Sequence, residues 1–221
     1  MQGSPAEAVQ SAADRAGWSP PRTLTAVVVP EAQVRPVLGA VTADALQSGD
    51  DLPGLEDRVL LLVRDMEGRR RGTLLRALRD RNGIAGPARP WLSARVSVER
   101  VLRALELGVV LDTEAHLPRF VLTADREALA DLRDRALEPL ADLRPASAEK
   151  LTATLRSWLL HHGRRDDVAA ELFVHPQTVR YRMGQLRELY GDRLDDPETV
   201  LELTIALAED QPSRSSNSTA S

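Results

Sequence analysis

The sequence predicts an α+β protein in which a mixed α/β sandwich domain is followed by an all-α domain. Strand-like and helix-like segments alternate over residues 24–117, as they do in a sheet that is covered by helices. From about residue 119 onward the β-branched runs end and only helical periodicity remains. A chain of 221 residues is long enough for two such domains, each with a core of its own.

Apolar runs predict the strands of the first domain, and helical spacing predicts the helices between them. The runs at 24–29 and 58–63 are typical of buried strands. A third run, 83–91, predicts a shorter strand because glycines and prolines interrupt it. The predicted helices cover 31–47, 73–81 and 97–107, and Gly108 ends the last of them.

Three further segments are expected to lie outside the two domains. Residues 1–23, rich in Ala, Ser, Pro and Gly, predict a flexible lead-in. Residues 118–146 have leucines along one helical face and predict a helical connector. The polar residues 211–221 predict a disordered tail.

Composition favours a soluble protein of a reducing compartment. The chain has no cysteine, which excludes disulfides, thiolate metal sites and a cysteine nucleophile. Its first residues carry neither a basic start nor an apolar run, and no stretch approaches the roughly 18 apolar residues that span a bilayer. We therefore expect a cytoplasmic protein without a membrane partner. The net charge of -4 argues against coating by nucleic acid, although one small face can still bind it.

The second domain is predicted to cover residues 147–210 with helices only. Ser147 is a candidate N-cap for a helix that ends at Gly163. The apolar face of this helix consists of Leu151, Leu155, Trp158 and Leu159. At the far end, Asp196 can cap a last helix whose first residue is Pro197.

Residues 164–191, between these helices, have the spacing of a helix-turn-helix. Asp166 or Asp167 can cap the first helix, and His175 with Pro176 begins the second one. Five positions match the packing pattern of the motif, namely Val168, Ala169, Leu172, Val174 and Val179, and Met183 is predicted to pack with them. Phe173 stands where many such turns have glycine. The alternative is an ordinary helical hairpin with a solvated polar face.

The second helix of the motif has a polar face that is suited to double-stranded DNA. Val179, Met183, Leu186 and Tyr190 form an apolar stripe that must face inward. The face opposite the stripe, together with the flanks of that face, carries amide, hydroxyl and guanidinium groups. These groups can form hydrogen bonds with base edges and phosphates. The side chains predicted to contact DNA are His175, Gln177, Thr178, Arg180, Tyr181, Arg182 and Gln185. For His175, capping of the helix and contact with a phosphate are both open.

The strings "LTATLRSWLLHHG", "VAAELFVHPQTVRYRMGQLRELYG" and "DRLDDPETVLELTIALA" together resemble a known bacterial domain. Over residues 151–208 the chain is similar to the C-terminal helix-turn-helix domain of PucR/CdaR-type transcriptional regulators. The positions that carry the resemblance are Thr154, Leu155, Trp158, Leu159, Ala169 or Ala170, Leu172, Val174, His175, Thr178, Tyr181, Arg182, Gly191, Asp196 and Pro197. The family usually has an Arg-Asn-like pair after the histidine, where this chain has Pro176-Gln177, and this departure concerns the base contacts.

Such regulators often carry a degenerate GGDEF-like domain upstream, and residues 24–117 resemble it through their element order and the helix "SVERVLRALELG". An active cyclase of that kind needs an intact loop and metal-binding carboxylates. This chain offers only "SGDDLPG" at 48–54, with Asp50 and Asp51, and Pro53 interrupts it. We expect a surface loop there and no cyclase activity.

No other segment predicts catalysis, a metal site or a cofactor. His161 and His162 are adjacent, which is poor geometry for one metal, and His116 lies in a predicted loop, so helix-end or solvent roles are expected. The basic run 67–72 is expected to be a solvated turn, and no Walker, nucleophile-elbow or dinucleotide-binding pattern is present.

The sequence therefore predicts a bacterial DNA-binding regulator that is not an enzyme. One recognition helix makes few contacts, so we expect a homodimer on paired half-sites. The first domain would serve dimerisation or signal input, and a small-molecule inducer cannot be identified from the residues. The alternative is a protein-interaction or ligand-sensing module with a degenerate helix-turn-helix, because the chain is acidic and shorter than expected of a full-length regulator of this family.

Overall fold

A computed structural model describes residues 6–42, 44–47, 55 and 57–208 of the chain. The chain divides after Leu117 into two compact units. The loop with Asp50 and Asp51 and the predicted tail 211–221 lie outside the described residues.

The first unit is built on a five-stranded mixed sheet with the order β2-β3-β1-β4-β5. Its strands are β1 (Thr23–Pro30), β2 (Ala45–Gln47), β3 (Arg58–Arg64), β4 (Ile84–Pro90) and β5 (Leu111–Asp112). The central strand β1 runs antiparallel to both β3 and β4, while β5 runs parallel to β4. The mixed α+β class is thus confirmed, and so are the three predicted strands. The sequence missed β2 and β5 because strands of two or three residues leave no periodicity to detect.

Helices cover both faces of this sheet. They are α2 (Val34–Val41), α3 (Gly68–Leu78) and α4 (Ala94–Glu106), and a further helix, α1 (Ala6–Arg15), precedes the first strand. On one face, Val27 and Val29 share a core cluster with residues of α2 and α3 such as Val37 and Leu74. The alternate residues of β1 are also fully buried, and α4 packs against β1 and β4. Burial on both sides explains why β1 is a continuous apolar run.

A β-bulge in β4 positions α4. Gly86 and Pro87 together lie opposite Ala26, since the pairing shifts between Thr25 and Val27. The backbone N–H of Ala26 leaves the ladder and donates instead to Ser97 Oγ of α4, at 2.8 Å. A Cβ on Gly86 would lie 2.5 Å from that hydroxyl oxygen. The glycine and proline that predicted a shortened strand therefore allow α4 to approach the sheet closely.

Two predictions at the start of the first unit need correction. In place of a flexible lead-in, residues 6–15 form α1, where Ala13 is buried. Trp18 then packs edge-on against Trp91, with ring centroids 5.7 Å apart. The helix predicted over 31–47 ends at Val41, because Thr42 adopts a left-handed conformation with φ of 46°, and β2 follows it.

The second unit contains helices only among its described residues. They are α5 (Leu117–Leu122, which begins at the boundary), α6 (Arg126–Leu137), α7 (Pro145–Leu160), α8 (Arg165–Glu171), α9 (Pro176–Tyr190) and α10 (Pro197–Leu207). Ala136 and Leu140 belong to the same buried cluster as Leu155 and Leu186. The predicted connector is thus part of the core of the helical unit, because the apolar face of α6 packs on α10.

The helix ends of the second unit agree with the sequence at some positions and not at others. The Asp196 side chain accepts from the N–H of Thr199 and caps α10, as expected. In contrast, α7 begins at Pro145 rather than after Ser147, and Arg144 occupies its N-cap position. Proline at the first helical position fixes the required φ without needing a donor, and so the helix extends further toward the N-terminus. Asp166 and Asp167 lie within the first turn of α8, where their negative charges interact favourably with the helix dipole. Neither side chain caps the helix.

Candidate nucleic-acid interface

The turn between α8 and α9 is tight and contains a strained residue. Phe173 has φ of 52°, and its side chain is 95% exposed. The N–H of Val174 donates to the carbonyl oxygen of Ala169 at 3.0 Å, which closes the end of α8. A left-handed conformation without glycine costs about 1–2 kcal/mol, so the turn reverses the chain at a local energetic cost.

His175 caps α9. Its Nδ1 accepts a hydrogen bond of 3.2 Å from the backbone N–H of Gln177, and Pro176 follows as the first helical residue. Of the two roles left open by the sequence, the structure thus places the imidazole in the capping role. The His175 side chain is nevertheless exposed.

The residues predicted to pack the motif lie in or against the core of the second unit. Ala169, Val179 and Met183 are buried, while Leu172 and Val174 are half-buried and pack against the same cluster. Ala169 is small enough for α9 to cross close to α8. This packing fixes the direction in which the opposite face of α9 points.

The C-terminal end of α9 is held by a buried hydroxyl. Tyr190 Oη donates to the carbonyl oxygen of Ala136 at 2.9 Å. Burial raises the pKa of the Tyr190 phenol to about 12, and Arg193 opposes this shift slightly. Sequence periodicity assigned Tyr190 to the inner stripe but could not show where its hydroxyl group would bond.

The residues predicted to contact DNA divide into an exposed group and a half-buried group. His175, Gln177, Arg180 and Tyr181 are exposed, the last at 66%. Thr178, Arg182 and Gln185 are half-buried on the flank that faces α7. Arg180 and Arg182, both predicted to contact DNA, thus differ, because of these two only Arg180 extends into solvent.

Arg182 is anchored to α7. Its Nη1 donates to Thr154 Oγ1 at 3.2 Å, and this hydroxyl in turn donates to the carbonyl oxygen of Lys150 at 2.7 Å. The contact joins two residues that the family resemblance includes, Thr154 and Arg182. A neighbouring helix thus binds the guanidinium of Arg182, a contact that the periodicity of α9 alone could not indicate.

A groove of about 520 Å³ lies between α7 and α9. Ser147 and Lys150 of α7 line one side, and Thr178, Arg182 and Gln185 of α9 line the other. Tyr181 stands at the groove as well, so the groove and the exposed face of α9 are continuous. Sequence patterns could not indicate this groove, because its two sides lie about 30 residues apart along the chain.

A polar cluster that the sequence did not predict joins α7 to α8. Glu171 accepts a very short hydrogen bond from Ser157 Oγ, and His161 Nε2 lies 3.0 Å from the same carboxylate oxygen. Arg156 Nη1 is 3.7 Å from the other oxygen. The hydrogen bond from Ser157 has the largest effect on the pKa of Glu171 and lowers it, and His161 and Arg156 lower it further. Burial raises this pKa, but the net shift is downward. His161, expected in a solvent or helix-end role, thus contributes to the junction between the two helices.

The charges near the start of α8 are largely compensated. Arg164 pairs with Asp167 at 2.8 Å, and Arg165 lies 3.8 Å from Asp166. Arg180 has no acidic partner within the part of the chain that the structure describes. An uncompensated positive charge therefore lies on the exposed face of α9, at Arg180.

The described residues also bear on metal sites and membrane spans. No group of three or more His, Asp and Glu side chains in the described ranges is arranged to hold a metal ion. No described helix combines the length and the apolarity that crossing a membrane requires.

The segment that contains this motif is similar to known proteins. Residues 151–208 match the model of the PucR C-terminal helix-turn-helix domain. An uncharacterised protein of Thermomonospora curvata is 40% identical over 72 residues, which cover 33% of this chain and 39% of that protein. The purine catabolism regulatory protein of Bacillus subtilis is 33% identical over 91 residues, which cover 41% of this chain and 17% of that protein.

Further comparisons extend over more of the chain. An uncharacterised protein of Mycobacterium tuberculosis is 31% identical over 142 residues, which cover 60% of this chain and 33% of that protein. The crystal structure of a regulator of polyketide synthase expression from Bifidobacterium adolescentis aligns with 90% of this chain and 84% of its own, at 21% identity and a TM-score of 0.40. The chain spans well under half the length of these curated relatives.

Proposed function

We propose that this chain is a DNA-binding transcriptional regulator and that α9 enters the major groove. The observation that carries the proposal is the geometry of α9 itself. Its apolar stripe is buried against the rest of the helical unit, so Gln177, Arg180 and Tyr181 extend together into solvent near the start of the helix. Hydrogen-bonding side chains at the N-terminal end of a helix, beside a free cation, are what base edges and phosphates require.

The match to the PucR-type domain and the likeness to a regulator of purine catabolism support the same proposal. Among the predicted residues, Gln177 and Tyr181 would contact base edges. Arg180 would contact a phosphate on the exposed flank. His175 would act chiefly as the cap that orients the first turn of α9.

The proposed regulator acts as a homodimer in the cytoplasm. A single α9 reads only a few base pairs, and two copies on paired half-sites supply the contacts that gene-level selectivity needs. We assign dimerisation or signal input to the first unit, which we propose to be the predicted degenerate GGDEF-like domain. Its inducer, if it binds one, would be a small molecule.

Selection of duplexes from genomic fragments by the whole chain, followed by fluorescence anisotropy on a selected duplex, tests the proposal. Arg180→Ala is expected to weaken binding. It should also reduce the magnitude of the negative slope of log K against log salt by about 1. Gln177→Ala is expected to relax the preference for the selected sequence over a scrambled one. Arg126→Gln, an exposed cation at the start of α6, is the charge-matched control. Absence of binding by the unaltered, folded chain to any fragment would refute the proposal.

A further inference from the structure

The α7–α9 groove carries a cation on each of its two sides. Lys150, the chain's single lysine, projects from α7, and Arg182 projects from α9. Thr178 and Gln185 add hydrogen-bonding side chains along the α9 side. Glu188 also lines the groove, but it lies beyond Arg182 toward the C-terminal end of α9. The part of the groove next to the exposed Tyr181 therefore favours an anion.

Arg182 is preorganised for such a ligand. Thr154 Oγ1 accepts a hydrogen bond from Arg182 Nη1 and donates one to the Lys150 carbonyl oxygen. All three residues therefore belong to one chain of hydrogen bonds. A guanidinium has five N–H donors, and the bond to Thr154 uses one of them. The remaining donors are held at the groove at little further cost in side-chain entropy.

The position of the groove relative to α9 indicates its ligand. A helix about 10–12 Å across nearly fills a major groove about 12 Å wide, so a sugar-phosphate strand lies on each of its flanks. One flank of α9 carries Arg180, and the other flank is the one covered by α7. A strand on that second flank meets a groove of about 520 Å³ with cations on both sides.

We propose that the α7–α9 groove is a second DNA contact, in which Lys150 and Arg182 bind the phosphates of one strand and Thr154 is the positioning residue for Arg182. This inference rests on the proposed function. It extends the DNA interface to α7, which precedes the two helices of the motif itself. The contact is made to the backbone, so it increases affinity for all sequences equally and leaves sequence preference unchanged.

The test uses the whole chain and two duplexes of equal length, one selected from genomic fragments and one of scrambled sequence. Lys150→Gln removes one phosphate contact without altering α7 packing, because Lys150 is exposed. We expect binding to both duplexes to weaken by the same factor. The negative slope of log K against log salt should become smaller in magnitude by about 1. Arg126→Gln, which removes the same charge from α6, should leave both quantities unchanged.

Thr154 is tested by a pair of substitutions. Thr154→Val keeps the shape and removes the hydroxyl, and Thr154→Ser restores the hydroxyl. We expect Thr154→Val to weaken binding to both duplexes by several-fold and Thr154→Ser to recover most of the loss. Combining Thr154→Val with Arg182→Ala should then weaken binding no further than Arg182→Ala does alone. Thermal unfolding establishes that each variant is folded.

The outcomes separate this inference from the proposed function. If Lys150→Gln and Thr154→Val bind both duplexes like the unaltered chain while Arg180→Ala is impaired, the reading helix binds DNA alone and the groove contact is refuted. If Lys150→Gln changes sequence preference rather than overall affinity, the contact is not to the backbone and the inference is again overturned. If the unaltered chain binds neither duplex, the proposed function itself fails.

Discussion

The hydroxyl of Tyr190 donates a hydrogen bond of 2.9 Å to the carbonyl oxygen of Ala136, and this bond fixes the end of α9 to α6. Both residues are buried in the same core cluster. The segment expected to be a connector therefore supports the helix that we propose to read DNA.

Tyr190→Phe is expected to lower the free energy of unfolding by about 1 kcal/mol at neutral pH, because the carbonyl of Ala136 loses its buried partner. The pKa of Tyr190 is about 12 in the folded chain against 10.0 for an ordinary tyrosine. Because the folded pKa is the higher one, this contribution is complete below about pH 10 and is lost as the pH rises toward 12.

Denaturant unfolding at a series of alkaline pH values measures this effect. The unaltered chain should lose more stability than Tyr190→Phe over that interval. Tyr181→Phe, which changes the exposed tyrosine, is the matched control and should keep the alkaline loss. An equal loss in Tyr190→Phe would show that the buried phenol is not its source.

Glu171→Gln tests the cluster between α7 and α8. The hydrogen bond from Ser157, with His161 and Arg156, lowers the pKa of Glu171 in the folded chain. A lowered pKa stabilises the fold above the ordinary value near 4.5, and the contribution disappears as the pH falls through the folded value.

We therefore expect Glu171→Gln to be less stable than the unaltered chain at neutral pH, by no more than about 1 kcal/mol because water screens the carboxylate. The difference should close in acid, which thermal unfolding from neutral pH to about pH 3 would measure. A difference that stays constant across this range would mean that the charge of Glu171 is not what stabilises the junction.

Phe173→Gly is expected to stabilise the helix-turn-helix. Phe173 has φ of 52° and a side chain that is 95% exposed, so glycine relieves strain without removing buried contacts. The gain should be below about 1 kcal/mol, since glycine also increases the entropy of the unfolded chain. Phe173→Ala keeps the Cβ and with it the strain, so its melting temperature should not rise. A loss of stability in Phe173→Gly would reveal a contact of the phenyl ring.

Replacement by alanine is expected to have opposite effects on stability at two glycines of the first unit, Gly86 in the bulge of β4 and Gly39 in α2. Gly86→Ala would place a Cβ 2.7 Å from the carbonyl oxygen of Ser97, and we expect a loss of at least about 2 kcal/mol in the free energy of unfolding. Gly39→Ala in α2 meets nothing within 4 Å and should stabilise the chain by up to about 1 kcal/mol. Equal effects from the two changes, measured by urea unfolding, would contradict the close approach of α4.

Ser97→Ala tests the same approach from the side of the helix. It leaves the N–H of Ala26 buried without its partner, which costs about 1–3 kcal/mol. Serine in the middle of a helix ordinarily favours neither face, so the sequence could not show that this hydroxyl completes the sheet. Hydrogen exchange at Ala26 should speed up in the variant, and unchanged protection would mean that the Ser97 hydroxyl is not its acceptor.

Sequence patterns predicted the fold correctly where the pattern lies entirely within one strand or helix. The apolar run of β1, the Asp196 cap of α10 and the stripe from Val179 to Tyr190 each lie within one strand or helix. The prediction was wrong where elements compete or are too short. Pro145 displaces Ser147 as the start of α7, and β2 has only three residues.

By itself, the sequence determined which side of α9 is apolar and which side chains lie opposite it, because both follow from the periodicity of one helix. Only the tertiary structure decided that α7 covers the flank with Arg182 and leaves Arg180 in solvent. The reason is physical. Periodicity describes a helix about its own axis, whereas the neighbour on a given flank depends on how distant helices cross and pack around a shared core.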